Sequence, residues 1–180
     1  MAEFFDHITE KHGEFVKAQP VFFTATAAEG ARINLSPKGM DCFRVLSPTL
    51  CGYLDVTGSG NETSTHLKHD GRITLMFNSF TRNPLIYRIY GKGRIARKGS
   101  QEFANLIGHF VDLPGARQIV LIDVESTQTS CGYAVPEMEL KAERPTLKRW
   151  AEKRGEEGIV EYQSTRNAVS IDGLDTGLND

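Results

Sequence analysis

The sequence lacks the features that mark a disulfide framework, a structural zinc site or a membrane protein. Its three cysteines (Cys42, Cys51 and Cys131) are an odd number, and no two of them form a CxxC pair. No apolar run approaches the roughly 20 residues that a membrane-spanning helix needs. The opening segment, MAEFFDHITEKHGEF, is too charged for a signal peptide. These absences predict a soluble cytoplasmic protein with reduced thiols and no membrane partner.

An excess of positive charge is also missing. The chain has 21 Lys and Arg residues against 23 Asp and Glu residues, for a net charge of −2, and no basic block. Nucleic acids require clustered positive charge, so they are excluded as the main partner. With 180 residues, the chain can bury a sizeable core without metals or disulfides. We predict a single domain over residues 1–180.

Motifs of covalent hydrolysis and of metal binding are absent as well. There is no GxSxG elbow and no HExxH pair, and no Ser or Cys has an assignable His partner. His66 and His69 are three residues apart on a predicted helix, but the sequence offers no third ligand at a recognisable spacing. We therefore predict no metal site and leave the catalytic residues unassigned.

The apolar periodicity predicts helices near both ends of the sequence and two short ones between them. The N-terminal helix is expected over about residues 3–18, where Pro20 ends the pattern. A helical tail is expected over about residues 144–166, with Gly155 and Gly158 as breaks. The short helices are expected at Asn61–His69 and in the segment SQEFANLIGHF, with Ser100 as its N-cap.

The segments between these helices read as six or seven strands. Two pairs of segments predict hairpins, 20–27 with 31–39 and 72–80 with 85–99. The remaining strands are DCFRVL, LCGYLDV and the long segment RQIVLIDVESTQTSCGYAV, which Pro136 ends. A doubly wound parallel sheet would need a helix after nearly every strand. The pattern instead predicts a mainly β domain, a closed or nearly closed antiparallel barrel.

The stretch YLDVTGSGNETSTHL predicts a strand, a Gly-rich turn and the first turn of a helix. It does not match GxGxxG, because Thr63 replaces the third glycine, and it lacks the GK[ST] of a Walker A loop. Ser59 and Glu62 match the S-x-x-E capping box. Two interpretations remain open: a phosphate cradle at a helix N-terminus, or a capped helix whose Glu62 already occupies the free N–H groups.

The strand RINLSPKG places Arg32, Asn34, Ser36 and Lys38 on one face, since side chains alternate along a strand. This face is either an ordinary solvated surface or an anion site. In an anion site Lys38 supplies charge, and the amide and hydroxyl supply directed hydrogen bonds. Arg88, on a face that is otherwise apolar or aromatic, either extends to solvent or grips a ligand in a cleft.

The ordered set FFTATA, RINLSPKG, FRVL, GYLDVTGSGNETSTHL, GRITLMFNSF and YRIYGKGRI resembles the pyridoxamine 5′-phosphate oxidase-like family of FMN-binding split barrels. The resemblance is greatest to a branch that carries SPKG, DxTGSGNET and GRITLMF, and it covers nearly the whole chain. It implies an antiparallel split β-barrel with flanking helices. It also implies a homodimer with FMN in a groove between the subunits.

The resemblance further implies a set of FMN-binding residues. The strand RINLSPK and the segment GSGNET would surround the FMN phosphate and ribityl chain, with Lys38 as the phosphate partner. Asp55 and Thr57 would lie beside the flavin ring. The residues expected at the cofactor are Asn34, Ser36, Lys38, Asp55, Thr57, Asn61, Glu62, Thr63 and Arg88.

The chain departs from the true vitamin B6 oxidases at two places. They carry a Ser-Arg-Lys run where this chain has Asn61-Glu62-Thr63, and they end with an Arg-x-His pair that the tail RNAVSIDGLDTGLND lacks. The function implied is therefore an FMN-dependent oxidoreductase acting on another small molecule. The alternative is a carrier or sensor that binds a flavin, a deazaflavin or haem without turnover.

Overall fold

An eight-stranded antiparallel sheet dominates the computed structural model, which describes residues 2–178. The strand order is β3-β2-β6-β7-β8-β5-β4, and β1 pairs with β8 beside this path. The strands are β1 (Glu3–Phe5), β2 (Phe22–Thr26), β3 (Asn34–Lys38), β4 (Phe43–Ser47), β5 (Leu50–Val56), β6 (Arg72–Asn78), β7 (Ile86–Arg97) and β8 (Ala116–Ser130). The sheet does not close, which a split barrel allows, so the predicted fold class is confirmed.

Four α-helices flank the sheet. They are α1 (Glu10–Lys17), α2 (Glu62–His69), α3 (Gln101–Leu106) and α4 (Thr146–Tyr162). A 3-10 turn follows α3 at Ile107–His109, and a π-helical turn follows α4 at Gln163–Asn167. No helix in residues 2–178 is long and apolar enough to cross a membrane.

The predicted N-terminal helix begins later than expected. Glu3–Phe5 is a short strand, with Phe4 opposite Gln128 of β8, and it adds an eighth strand to the six or seven predicted. Helix α1 starts only at Glu10, because the hydroxyl of Thr9 accepts the N–H of His12 and fixes the N-cap there. Aromatic side chains favour strands where a partner strand is available, and here β8 provides it.

The other predicted elements are confirmed with small shifts. Both hairpins form, and Ser100 caps α3 through the N–H of Phe103. Helix α4 breaks at Gly155, whose φ of 68° lies in the left-handed region that glycine tolerates, but the break predicted at Gly158 is wrong, because the helix continues through it. Strand β8 ends at Ser130, before the expected stop at Pro136, and the tail helix begins at Thr146.

Two β-bulges in β8 change which way its side chains point. Asp55 pairs with Gln118 while Val56 pairs with Ala116, so Arg117 is an extra residue. A second irregularity opposite Tyr90 and Gly91 leaves Glu125 extra. A bulge breaks the strict alternation of side chains between the two faces of a sheet. The first bulge positions a charged side chain in the site described next.

Candidate functional site

The polar face of β3 points into the barrel. Asn34, Ser36 and Lys38 are half-buried, whereas Leu35 between them is 65% exposed. The amide of Asn34 donates to the hydroxyl of Thr63 at 3.1 Å, and Ser36 donates to the amide oxygen of Asn34 at 3.0 Å. An ordinary solvated face would show the reverse pattern. The interpretation as a surface face is therefore wrong for Asn34, Ser36 and Lys38. Arg32 precedes the strand, is exposed and pairs with Asp172.

Lys38 is already paired within the protein. Its Nζ lies 3.0 Å from Oδ1 of Asp55, which is only 3% exposed. The other carboxylate oxygen, Oδ2, accepts from Nε of Arg117 at 2.7 Å and from Nε2 of Gln118 at 2.8 Å. A buried carboxylate needs such partners to remain charged. Two cations and one anion therefore form a compact, buried network.

The pKa shifts follow from this network. Burial alone would raise the pKa of Asp55, but Arg117 and Lys38 outweigh it and hold that pKa well below its ordinary value. Burial alone would lower the pKa of Lys38, but the neighbouring carboxylate raises it overall. Two unit charges about 4 Å apart interact by about 4 kcal/mol at an effective dielectric constant of about 20. An anion brought to Lys38 would therefore meet repulsion from Asp55 comparable to the attraction of Lys38, and Arg117 would supply the net positive charge of the network.

Arg117 is a site residue that the sequence analysis missed. Simple alternation along β8 would place Arg117 and Gln118 on opposite faces of the sheet, and the bulge instead directs both side chains to Asp55. A bulge depends on the partner strand, so the sequence of β8 alone carries little signal for it. The charged and amide side chains directly before the apolar run IVLI were the only clue.

Arg117 and Asn167 pin the Gly-rich loop from one side. The Arg117 guanidinium donates to the carbonyl of Gly60 at 2.9 Å and to the side-chain oxygen of Asn167 at 2.8 Å. The Asn167 amide in turn donates to the carbonyl of Gly58 at 3.1 Å. Asn167 is fully buried although it lies in the tail segment. The two loop carbonyls are therefore satisfied by side chains and cannot compete for a ligand.

The N–H groups of the same loop remain free. Those of residues 58–63 have no hydrogen-bond acceptor among residues 2–178. Asn61 is the N-cap of α2 but makes no side-chain cap bond, and its buried Nδ2 lacks a partner in the same part of the chain. Free N–H groups at a helix N-terminus and in a preceding turn are a common anion site. The loop therefore retains donors suited to a phosphate.

The predicted capping box does not form. The Glu62 carboxylate accepts the N–H of Ile171 at 3.1 and 3.3 Å from its two oxygens, and it makes no bond to the Ser59 backbone. Ser59 makes no cap bond either, since the N-cap is Asn61. The tail segment competes successfully for Glu62, and this long-range contact could not be read from the local sequence. The carboxylate is thus engaged outside the loop.

A cavity of about 700 Å³ adjoins the loop and the end of β3. Trp150 and Tyr162 form an aromatic wall, with their ring centroids 5.1 Å apart. Arg144 and Glu143 provide the charged side chains of the lining. The remaining lining residues are Pro37, Met40, Thr57, Gly58, Ser59, Ala142, Thr146 and Leu147. The cavity lies between the barrel and the segment 142–162, which we call the C-terminal arm.

A second cavity, of about 690 Å³, lies between α1 and β4. None of the nine residues predicted at the cofactor lines it. Its floor contains Phe22, Phe43 and Phe77, the aromatic part of the core. Of the nine, only Thr57 lines the cavity beside the loop, but that cavity also adjoins the N–H groups of Gly58 and Ser59, which are unpaired within the described part of the chain, and is therefore the better candidate site.

Thr57 lines the cavity beside the loop, whereas Arg88 lies on the outer face of the sheet. Thr57 lines the first cavity, donates to the carbonyl of Gly115 and accepts from the amide of Gln163, both at 2.8 Å. Arg88 lies on the outer face of the sheet, opposite to the buried Tyr87, and donates to Ser130 at 3.0 Å. Arg88 is thus the one predicted residue that the fold turns away from the others within a single chain.

The histidines do not build a metal centre. Nδ1 of His66 lies 3.0 Å from the hydroxyl of Thr26, inside the barrel. Across residues 2–178, no group of three or more His, Cys, Asp or Glu side chains could hold a metal ion. The donors of the site are therefore N–H groups, hydroxyls and cations, which suit an organic anion better than a metal.

Comparison with known proteins identifies the family. Residues 8–131 match the family model described as pyridoxamine 5′-phosphate oxidase. The chain is 36% identical over 194 residues to the pyridoxamine 5′-phosphate oxidase family protein ustO of Aspergillus flavus, across 97% of this chain and 77% of that protein. Both matches extend well beyond the Gly-rich loop and include the strands that build the site.

Solved structures show the same fold at low identity. HupZ from Group A Streptococcus superimposes with a TM-score of 0.51 at 22% identity, over 66% of this chain and 90% of its own. The FAD binding protein from Mycobacterium smegmatis gives a TM-score of 0.50 at 8% identity, over 70% of this chain and 97% of its own. Together with the family match, these findings establish that the chain belongs to the pyridoxamine 5′-phosphate oxidase family.

Proposed function

We propose that this chain binds a flavin, FMN, and acts as an FMN-dependent oxidoreductase on a small-molecule substrate. The observation that carries the proposal is the cavity of about 700 Å³ against a loop whose N–H groups, over residues 58–63, lack acceptors among the described residues. Family membership supports it, and so does the FAD-binding protein that shares the fold.

The chemistry of the lining fits a planar ring that carries a phosphate ester. Ligand cavities measure about 300–1,000 Å³ and are mostly apolar with a few placed polar groups. Trp150, Tyr162 and Met40 would contact the ring, and the N–H groups of Gly58 and Ser59 would face the anionic end. Arg154 already lies over both aromatic rings, with its Cζ 4.9 Å from the Trp150 centroid and 4.8 Å from the Tyr162 centroid, so the flavin would contact the ring surfaces that Arg154 leaves uncovered.

The protein's own residues would bind and orient the ligand. A bound flavin supplies the hydride chemistry, whereas the protein supplies position, exclusion of water and hydrogen bonds. Arg117 and Asn167 hold the loop carbonyls, so the loop N–H groups keep a fixed geometry. The aromatic wall of Trp150 and Tyr162 excludes water from one side of the cavity.

We also propose a homodimer with the cofactor at the subunit boundary. One row of the outer sheet face is in register across six strands: Pro37, Phe23, Met76, Arg88, Gln128 and Phe4. Pro37 also lines the cavity. Arg88 lies three strands, roughly 14 Å, from Pro37. A second subunit covering this row would therefore stand next to the cavity and bring further side chains to it.

The single tryptophan of the chain makes binding directly measurable. Trp150 lines the cavity, so a flavin that stacks there should quench its fluorescence in a saturable manner. Titration with FMN, followed by Trp150 emission and by flavin fluorescence, tests the proposal. In a Trp150→Phe variant the flavin signal should still report binding. No saturable signal up to about 1 mM FMN, where binding is worth only about 4 kcal/mol, would disprove it.

A reduction experiment separates an enzyme from a carrier. NADPH or NADH added without oxygen to the FMN-loaded protein should bleach the visible flavin band if the protein is an oxidoreductase. A flavin that stays bound and oxidised with both donors would favour a carrier or sensor instead. The absorption spectrum and mass of any ligand that copurifies would identify the natural cofactor.

A further inference from the structure

The network around Lys38 does not identify which cation would pair with the phosphate of the ligand. Its Nζ is bound to Asp55, and that carboxylate also binds Arg117, so the network carries both cations in internal contacts. A phosphate beside Lys38 would also lie beside Asp55. Repulsion from that carboxylate would offset much of the attraction. Arg117 leaves the network with a net positive charge, but neither Lys38 nor Arg117 lines the cavity beside the loop, so a cation on the cavity wall has to come from another residue.

Arg144 is the arginine on the wall of the cavity. It is exposed and forms no ion pair with residues in the described range 2–178. The same cavity is lined by Gly58 and Ser59, whose N–H groups have no acceptor in that range. An anion held by these N–H groups would thus share one cavity with an uncommitted guanidinium.

The backbone at Arg144 is restrained in a way that favours binding. Pro145 follows it and forms the N-cap of α4, and the residue before a proline is confined to extended conformations. A restrained backbone lowers the entropy lost when the side chain is fixed on a ligand. A guanidinium also matches the geometry of a phosphate through two parallel N–H donors.

We propose that Arg144 pairs with the phosphate of the bound flavin and makes the C-terminal arm the element that distinguishes FMN from riboflavin. This inference rests on the proposed function. It assigns to the arm a role that the sequence analysis gave to Lys38. Glu143 lies on the same wall and opposes an anion, so it sets a limit on the selectivity that Arg144 can provide.

The test is a titration of FMN and riboflavin against matched variants, with Trp150 emission as the readout. Arg144→Gln should weaken FMN binding by about three- to tenfold, a range reduced because the side chain is exposed, and should leave riboflavin unchanged. Arg149→Gln removes an exposed arginine of the same arm that does not line the cavity, and it should change neither ligand. Glu143→Gln should strengthen FMN binding slightly.

Ionic strength provides a second readout. The preference of the wild-type protein for FMN over riboflavin should fall as salt rises, because salt screens exposed charges, and Arg144→Gln should abolish this dependence. If Arg144→Gln behaves like Arg149→Gln, or weakens both flavins equally, the inference is wrong. A selective loss in Lys38→Met instead would return the role to Lys38. If neither flavin binds the wild-type protein, the proposed function itself fails.

Discussion

Arg117 and Gln118 are consecutive residues of one strand, yet both donate to the same oxygen of Asp55, at 2.7 and 2.8 Å. The β-bulge at Arg117 makes this convergence possible, because it turns two successive side chains toward one face. Asp55 consequently holds Lys38 on one oxygen and Arg117 on the other.

Replacing Asp55 with Asn should destabilise the fold strongly. The change leaves Arg117 and Lys38 without a counter-charge in a buried setting. Removing one partner of a buried ion pair costs about 3–5 kcal/mol. Urea denaturation followed by Trp150 fluorescence measures the free energy of unfolding. The double variant Lys38→Met with Asp55→Asn should recover part of the loss, because one uncompensated cation is then gone. A single variant within about 1 kcal/mol of wild type would contradict the network.

The Asp55 carboxylate should also make the free energy of unfolding depend on pH at acid pH. The folded-state pKa of Asp55 lies below the ordinary value of 3.8, so the unfolded chain binds a proton more readily. Its contribution is therefore present above about pH 4 and is lost as the pH falls from there toward the folded-state pKa. Asp70 also has a lowered pKa, so the measurement must compare wild type with Asp55→Asn. Below pH 4 the free energy of unfolding should fall more steeply with decreasing pH in the wild type than in Asp55→Asn. Equal slopes for the two proteins would refute this.

Alanine substitutions at Gly91 and Gly13 should have opposite effects on the free energy of unfolding. A Cβ at Gly91 would lie 2.2 Å from the carbonyl oxygen of Asp123, next to the second bulge, and a backbone atom cannot move aside. Gly91→Ala should therefore lower the free energy of unfolding by about 2–4 kcal/mol. Gly13, inside α1, has open space, and Gly13→Ala should raise it by about 0.5–1 kcal/mol. Thermal unfolding should give a lower Tm than wild type for Gly91→Ala and a higher Tm for Gly13→Ala, and a change in the opposite direction would contradict the prediction.

The proposed dimer has its own test. Light scattering should give a mass near twice the 20.0 kDa of the chain. Met76→Asp puts a carboxylate opposite Arg88 on the outer sheet face, where a single subunit tolerates it but an apolar interface does not. This variant should be monomeric with an unchanged circular dichroism spectrum. A wild-type mass of one chain at micromolar concentration would rule the dimer out.

The sequence predicted those parts of the molecule that depend on local pattern. Alternation in β3 and the hairpin signals were sufficient to place Asn34, Ser36 and Lys38 on one face and to order β2 beside β3. Whether that face points inward could not be predicted, because it depends on the partners Thr63 and Asp55 contributed by other segments. The local pattern thus determines which side chains of β3 share a face, and tertiary contacts determine whether that face points into the barrel.

The residues that sequence reasoning missed all act over long distances. Arg117 reaches Asp55 through a bulge, and Asn167 reaches the loop from 109 residues beyond Gly58. The capping box failed for the same reason, because Ile171 competes for Glu62. A short motif records local preferences only, and a distant segment can override them.

The position of Asn167 in the chain also governs when the site can form during synthesis. The ribosome delivers Gly58 and Asp55 early and Arg117 later, but the amide that pins Gly58 emerges only after residue 167. Until then the loop has a free carbonyl and Arg117 lacks one acceptor, so a nascent chain without this segment has an incomplete site. Contacts of such sequence separation also form slowly. The binding loop therefore reaches its final set of contacts only after residue 167 has been made, 109 residues after Gly58.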